Sequence, residues 1–190
     1  TKDGFSIILK EPSTKLMVDK LVLTTGGQAY RHTGSTGDGY AFALSLGHSL
    51  TPLAPSLNAF FTRETWTKDV SGLSFPKASI TAKRGKNPSF TGPFLFTHKG
   101  ISGPAVFALS SLVAFEKYDV NQPLEISIDL FPDISIDQLR TLIEQQVNLN
   151  TKKSFLNVLS TIIPKSLATI VCQEILAFEK HASGVSKKEL

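Results

Sequence analysis

Cysteine is almost missing from this chain: Cys172 stands alone among 190 residues. A single thiol excludes an internal disulfide framework, a Cys-x-x-Cys redox pair and a cysteine-rich zinc site. Histidine gives no substitute. His32, His48, His98 and His181 lie far apart, none at the spacing that brings two imidazoles to one ion, so no metal centre is expected. Long hydrophobic runs are lacking too, since no apolar stretch approaches the roughly 20 residues that a membrane-spanning helix needs. No secretory leader pattern occurs in these residues, and the expectation is a reducing, cytoplasmic setting without membrane contact. Charge of one sign is also scarce. The net charge is +4, from 20 Lys and Arg against 16 Asp and Glu. The tightest basic groups (Lys83, Arg84 and Lys86; Lys152 and Lys153; Lys187 and Lys188) fall in turn-like or helix-end sequence, and no nucleic-acid partner is expected.

What is present suffices to fold. A chain of this size buries roughly 70% of its unfolded surface, in one domain or two small ones. It opens on Thr1 with a strand-like run starting at Phe5, and closes on Ser186 and Glu189, the capping-box pair that begins a helix. The expectation is therefore a piece of a longer protein. Phe5–Leu9 and Leu16–Val18 read as a hairpin around Glu11-Pro12-Ser13. Leu21-Val22-Leu23-Thr24-Thr25 is continuously apolar and β-branched, which fits a strand buried on both faces. The glycine-rich loop Gly34–Gly39 follows it, then a helix-prone stretch, Tyr40–Leu46, that Gly47 stops.

Composition shifts at Thr51-Pro52-Leu53-Ala54-Pro55. Beyond it, Ala78–Ala82, Phe94–Phe96 and Leu124–Leu130 are strand candidates, with turn chemistry at Arg84–Pro88. The last strand alternates apolar and polar residues, so one face is buried and one is wet. From Pro132 the period turns helical. Ser135 with Gln138 forms a capping box ahead of the stripe Leu139, Leu142, Ile143 and Val147. A second stripe (Phe155, Leu156, Leu159, Ile162, Ile163) ends at Pro164, and a third runs through Leu167, Ile170, Val171, Ile175, Leu176 and Phe178. Cys172 lies in the third, as a buried and inert thiol.

Two segments carry candidate chemistry. Gly34-Ser35-Thr36-Gly37-Asp38-Gly39 lies where a helix N-terminus offers unpaired amides, which suits an anion or nucleotide; a tight strand-to-helix turn explains the same residues. Its spacing is neither Gly-x-Gly-x-x-Gly nor a Walker A loop. Phe96-Thr97-His98-Lys99-Gly100-Ile101-Ser102-Gly103-Pro104 puts a serine near a histidine. It does not match Gly-x-Ser-x-Gly, has no identifiable acidic partner, and reads as a turn-to-helix junction. Trp66 reads as packing.

Taken in order, several of these segments resemble one family. Leu21–Gly27, Thr33–Tyr40, Leu46-Gly47-His48 and Pro52–Leu57, then Leu95–Pro104 and Ile128–Asp133, are similar to the signatures of the YhiN/BaiN-like flavoproteins, the aminoacetone oxidase family of FAD-binding enzymes. The resemblance covers nearly the whole chain. Two departures stand out: Thr24 occupies a position where Ala is usual, and Gln28-Ala29-Tyr30-Arg31 replaces Lys-Ser-Tyr-Pro.

The resemblance implies an α+β chain: a small antiparallel sheet or barrel plus a helical subdomain, together an insert domain, preceded by a strand–glycine loop–helix piece of an α/β FAD-binding domain. The implied divisions are 1–51 for the FAD-domain segment, 52–131 for the β-rich part and 132–190 for the helical part. It implies contact with FAD by Thr25, Gly26 and Gly27 and by Thr33, Gly34, Ser35, Thr36, Gly37, Asp38 and Gly39. No catalytic residue is assigned, because a flavin carries its own redox chemistry. The implied parent is an FAD-dependent oxidoreductase moving a hydride or electrons between an organic small molecule and the flavin, with NAD(P) as a candidate second cofactor. The implied partner is the remaining FAD-binding domain, and the piece alone is expected to be inactive. The alternatives are a non-enzymatic protein-interaction domain using the helical stripes as a groove, and an RNA-associated barrel with Lys83, Arg84 and Lys86 on one edge.

Overall fold

A two-stranded hairpin opens the computed structural model, which describes residues 4–9, 11–175 and 180–185. Leu176 and Phe178 of the third stripe, Lys187, Lys188 and the capping box at Ser186 and Glu189 lie outside the described residues. Strands β1 (Phe5–Leu9) and β2 (Thr14–Val18) pair antiparallel, Ile7 opposite Leu16, around the expected turn. Helix α1 (Asp38–Ser45) begins two residues ahead of the expected stretch. It ends as its sequence dictates: Gly47 takes φ 87°, its amide donates to Leu44 O, and that of His48 donates to Ala43 O, the Schellman pattern.

Leu21–Thr25 departs from expectation. It has no strand partner among the described residues, and it is exposed, Val22 to 79%. A strand buried on both faces takes its hydrogen bonds and its cover from neighbouring elements, and the described residues supply neither.

The chain divides into two compact units, Thr1–Leu53 and Ala54–Leu190. The second is built on a five-stranded antiparallel sheet of order β3-β6-β5-β4-β7, comprising β3 (Phe60–Phe61), β4 (Ser74–Ala82), β5 (Ser89–Thr97), β6 (Gly100–Ser102) and β7 (Ile126–Asp129). With the helices that follow, the architecture is α+β. Alternation sets the two faces. Ala78, Ile80 and Ala82 of β4 and Phe94 and Phe96 of β5 point inward, under helix α2 (Pro104–Leu112). Ser79, Thr81, Ser89 and Ser127 share the opposite, polar face, where Thr81 donates to Ser89. Phe94 and Phe96 meet edge-on at 4.7 Å, and Trp66, in a 3-10 turn over Thr65–Val70, packs on Phe96. Ser110, buried on α2, is satisfied by donating to Phe107 O and accepting from the Asn58 amide. In the loop before β7, Asp119 accepts the amides of Gln122 and Asn121, which together hold its carboxyl below the usual range.

Helix α3 (Ile136–Leu149) starts at the capping box read from sequence, with Ser135 and Gln138 each bonding the other's amide. Helix α4 (Phe155–Leu159) is shorter than its apolar stripe suggests. Ser160 and Thr161 donate their hydroxyls back to Leu156 O and Val158 O, and the stripe continues as turns through Ile162 and Ile163. Helix α5 (Lys165–Glu174) follows Pro164 and buries Leu167, Ala168 and Cys172.

Burial raises the Cys172 thiol above its ordinary pKa, so it is a poor nucleophile. A thiol-reactive chromogenic disulfide is expected to leave the native chain unmodified and to react fully after guanidinium unfolding. Rapid reaction of the native chain would contradict this packing.

Candidate functional site

The first unit brings together the two segments that the resemblance assigns to FAD. Residues Thr25–Gln28 run alongside the loop and first turn Ser35–Tyr40, and glycines make the approach possible. A Cβ added at Gly39 would lie 2.5 Å from Thr25 Oγ1, and one at Gly37 would lie 2.8 Å from the Gln28 side chain. Gly26 faces Ser35 Oγ and Gly27 faces Tyr40 OH, each at 3.2 Å from the absent Cβ. Of the sequence candidates, Gly39 thus meets Thr25 and Gly26 meets Ser35, whereas Gly27 meets Tyr40 and Gly37 meets Gln28. Thr33 and Gly34 shape the loop from its far side. Thr33 closes a 3-10 turn by donating amide and hydroxyl to Tyr30 O, and the Gly34 amide donates to Arg31 O. The Thr36 amide donates in turn to Gly34 O.

Gly37 sits at the N-cap of α1 with φ 89°, a left-handed conformation that side chains resist, and no side chain caps the helix. The Tyr40 amide is taken by Gly37 O, which leaves the Asp38 and Gly39 amides at the positive end of the helix dipole. Asp38 sets a carboxylate beside those donors. Around Gly34 nothing lies within 4 Å of the missing Cβ, so the loop is open on that side. The arrangement offers backbone N–H groups to an anion or carbonyl and one carboxylate to a hydroxyl. Sequence reasoning missed Gln28 as a contact of this loop; the departure at Gln28–Arg31 was its only signal.

The second motif has a different role. Gly100 takes φ 151°, and a Cβ there would stand 2.2 Å from Phe60 O, so β3 can cross only over a glycine. Ile101 is buried opposite Phe60 and Phe96. Gly103, at φ 103°, turns the chain into α2, with Pro104 in its first turn. His98 and Lys99 form the exposed tip of the β5–β6 hairpin, whereas Ser102 pairs with Leu95 further down the ladder. Histidine and serine are thus held apart, and the motif is the expected turn-to-helix junction. Beside it lies a shallow cleft of about 370 Å³, lined by Phe75, Pro76, Pro93 and Leu95 among others and by no titratable group. Among the described residues, no three His, Cys, Asp or Glu side chains gather where they could hold a metal.

A small antiparallel sheet closed by α2 and followed by a packed set of short helices defines a barrel-and-helix module. Residues 54–190 match the HI0933-like protein barrel and H2TH domain, and the chain belongs to that family. This agrees with the resemblance carried by its motifs. Among curated proteins, the chain is 32% identical to a ribosomal RNA dihydrouridine synthase of Haemophilus influenzae, over 95% of this chain and 42% of that protein. It is 33% identical to a ribosomal RNA dihydrouridine synthase of Escherichia coli, over 78% of this chain and 35% of that one. It is 27% identical to a 3-dehydro-bile acid delta(4,6)-reductase of Clostridium scindens, over 84% and 39%. The chain therefore spans roughly two fifths of the length of these relatives.

The glycine geometry yields a contrast. Gly103→Ala combines a forbidden φ with a Cβ 2.9 Å from Pro93 O, and is expected to cost about 3 kcal/mol in a denaturant titration. Gly72→Ala, at φ 86° in open space, is expected to cost about 1 kcal/mol. Equal losses would remove Gly103 as the turn that seats α2.

Proposed function

We propose that this chain is the barrel-and-helix insert, with an adjoining cofactor-contacting segment, of an FAD-dependent oxidoreductase. The observation that carries this reading is the meeting of Thr25–Gln28 with the uncapped N-terminus of α1, in a chain of the HI0933-like family. The donor set suits FAD: left-handed glycines and outward amides accept a phosphate or a ring carbonyl, and the Asp38 carboxylate accepts a ribityl or ribose hydroxyl. In this reading Thr25, Gly26, Gly27 and the loop Thr33–Gly39 hold one side of the cofactor. The exposed apolar run Leu21–Leu23 supports a partner strand from the rest of the FAD-binding domain, elsewhere in the same polypeptide. The parts at 1–51, 52–131 and 132–190 would then serve as cofactor segment, β-rich insert and helical insert, in a cytoplasmic enzyme.

The activities of these relatives share one chemistry. Dihydrouridine is uridine with two hydrogens added across a ring double bond, and a delta(4,6)-reductase removes carbon–carbon unsaturation. The substrate class that follows is an organic molecule with a carbon–carbon double bond conjugated to a carbonyl, such as a uracil base or an enone. When bound, a flavin reduced by a nicotinamide donor would supply the hydride for such a reduction. This chain's own residues orient the cofactor and exclude water from one side of it. By itself the chain is expected to be inactive and to bind FAD weakly or not at all. Its sequence holds no Gly-x-Gly-x-x-Gly turn to grip the pyrophosphate.

The test compares visible absorbance of this chain with that of a polypeptide of its relatives' length that contains it. A yellow longer protein beside a colourless chain is the expected result. In the longer protein, Gly39→Val drives a side chain into Thr25 and is expected to empty most of the flavin site without changing the melting of the barrel unit. A colourless longer protein that takes up no added FAD would overturn the reading in favour of an interaction domain.

A further inference from the structure

The Gln28 side chain rests on the glycine loop without using its polar end there. Its Cγ and Nε2 lie 2.8 Å, and its Cδ 3.1 Å, from where a Cβ at Gly37 would stand. Gly37 is the N-cap of α1, so the carboxamide is seated against the loop that the oxidoreductase reading gives to FAD. The group is exposed, and it makes no hydrogen bond to another described residue. In the family that the motifs resemble, lysine is the commoner residue at this place. Gln28 therefore removes a cation and offers a neutral donor and acceptor instead.

That exchange narrows what the side chain can meet. A primary amide carries N–H donors and a carbonyl acceptor side by side. A phosphate only accepts, and a cation serves it better. A ribityl or ribose hydroxyl is met by the Asp38 carboxylate in the first turn of α1. The pyrimidine edge of the isoalloxazine ring sets a carbonyl beside an N–H, and an amide matches it donor to acceptor and acceptor to donor. Reduction of the flavin builds negative charge on this side of the ring, and a charged neighbour there tunes its electronics. From Leu21 to Thr62 the sequence holds a single Lys or Arg, and that residue, Arg31, belongs to the 3-10 turn Arg31–Thr33.

We propose that the Gln28 carboxamide holds the pyrimidine edge of the flavin and leaves it without a cationic neighbour, at a lower potential than a lysine there would set. A lower potential favours hydride delivery to a carbon–carbon double bond conjugated to a carbonyl. The inference rests on the oxidoreductase reading. It adds a cofactor contact outside both segments assigned to FAD, Thr25–Gly27 and Thr33–Gly39.

The experiment uses the polypeptide of the relatives' length that contains this chain, purified with its flavin. The midpoint potential is read against a reference dye during slow enzymatic reduction. FAD affinity is read by flavin fluorescence after the cofactor is stripped and returned. Gln28→Lys is expected to favour reduced over oxidised flavin roughly tenfold more than wild type does, a rise of about 30 mV for a two-electron couple. Gln28→Glu is expected to shift the potential downward by a similar amount. Lys20→Gln makes the same change in net charge eight residues earlier, and should alter the ratio by less than about twofold. Gln28→Leu should bind oxidised FAD roughly fivefold more weakly through its lost hydrogen bonds, with an unchanged melting curve by circular dichroism. Wild-type potentials in both charged variants overturn the proposal. If Gln28→Leu still weakens FAD in that case, the side chain lies at the adenine end instead. A shift in Lys20→Gln as large as that in Gln28→Glu also overturns it, by reducing the effect to net charge. A wild-type longer protein that takes up no FAD sinks the oxidoreductase reading together with this one; a yellow protein whose potential ignores residue 28 sinks only the contact.

Discussion

The second unit depends on how closely helix α2 can approach the sheet, and small side chains set that distance. Ala78 and Ala82 on β4 and Ala105 on α2 are fully buried, and the missing Cβ of Gly92 would lie 3.7 Å from that of Ala105. A larger residue at any of these places would lift the helix and open voids around Ile80, Phe94 and Leu109. Gly103 and Pro104 aim the helix at this seam, and Gly100 lets β3 cross the hairpin that precedes it. The segment Gly100–Pro104 is thus a mechanical device: two glycines for backbone geometry, a buried isoleucine between them, and a proline that starts a helix. Its resemblance to a family signature is explained by folding and requires no catalytic histidine or serine.

The first unit follows the opposite logic. Its glycines do not close a core; they press two polar backbone segments together and leave amides facing outward. Leu21, Val22 and Leu23 stay exposed, as do Phe42, Leu44 and Leu46 of the helix and its cap. A helix with apolar residues turned to solvent and a strand-like run without a ladder are the halves of an α/β layer, each needing cover. A preformed loop in an incompletely covered layer is what a cofactor-contacting segment requires when the other side of the site comes from elsewhere.

Local signals in the sequence were the ones most faithfully kept. The hairpin turn at Glu11–Ser13, the capping box at Ser135 and Gln138 and the stop at Gly47 all depend on interactions within a few residues, and all three are found. The apolar stripe from Phe155 to Ile163 misled because periodicity reports which side chains are buried, not which backbone conformation buries them. Ser160 and Thr161 satisfied the backbone locally, and the helix ended. Leu21–Thr25 misled for a complementary reason: strand character is realised only by a partner. At the candidate site, the glycines and the carboxylate were legible, but the packing of Gln28 on Gly37 was not, since nothing in sequence spacing announces which residue a positive-φ glycine makes room for.

Charge shows the same gap between sequence and fold, with a larger consequence. Read linearly, Lys83, Arg84 and Lys86 form the denser basic group, and Lys152 with Lys153 the weaker one. Antiparallel pairing reverses that order. It places Glu125, on the segment leading into β7, against Lys83 at the end of β4, and Glu116, after α2, against Arg84. An exposed ion pair adds little to stability, but it cancels the field that a distant anion would feel. The bridge between Ser154 and His181 joins the turn that carries Lys152 and Lys153 to the segment after α5. The electrostatic character of a weakly charged protein therefore depends on which loops the topology laces together, and not on the density of basic residues along the sequence.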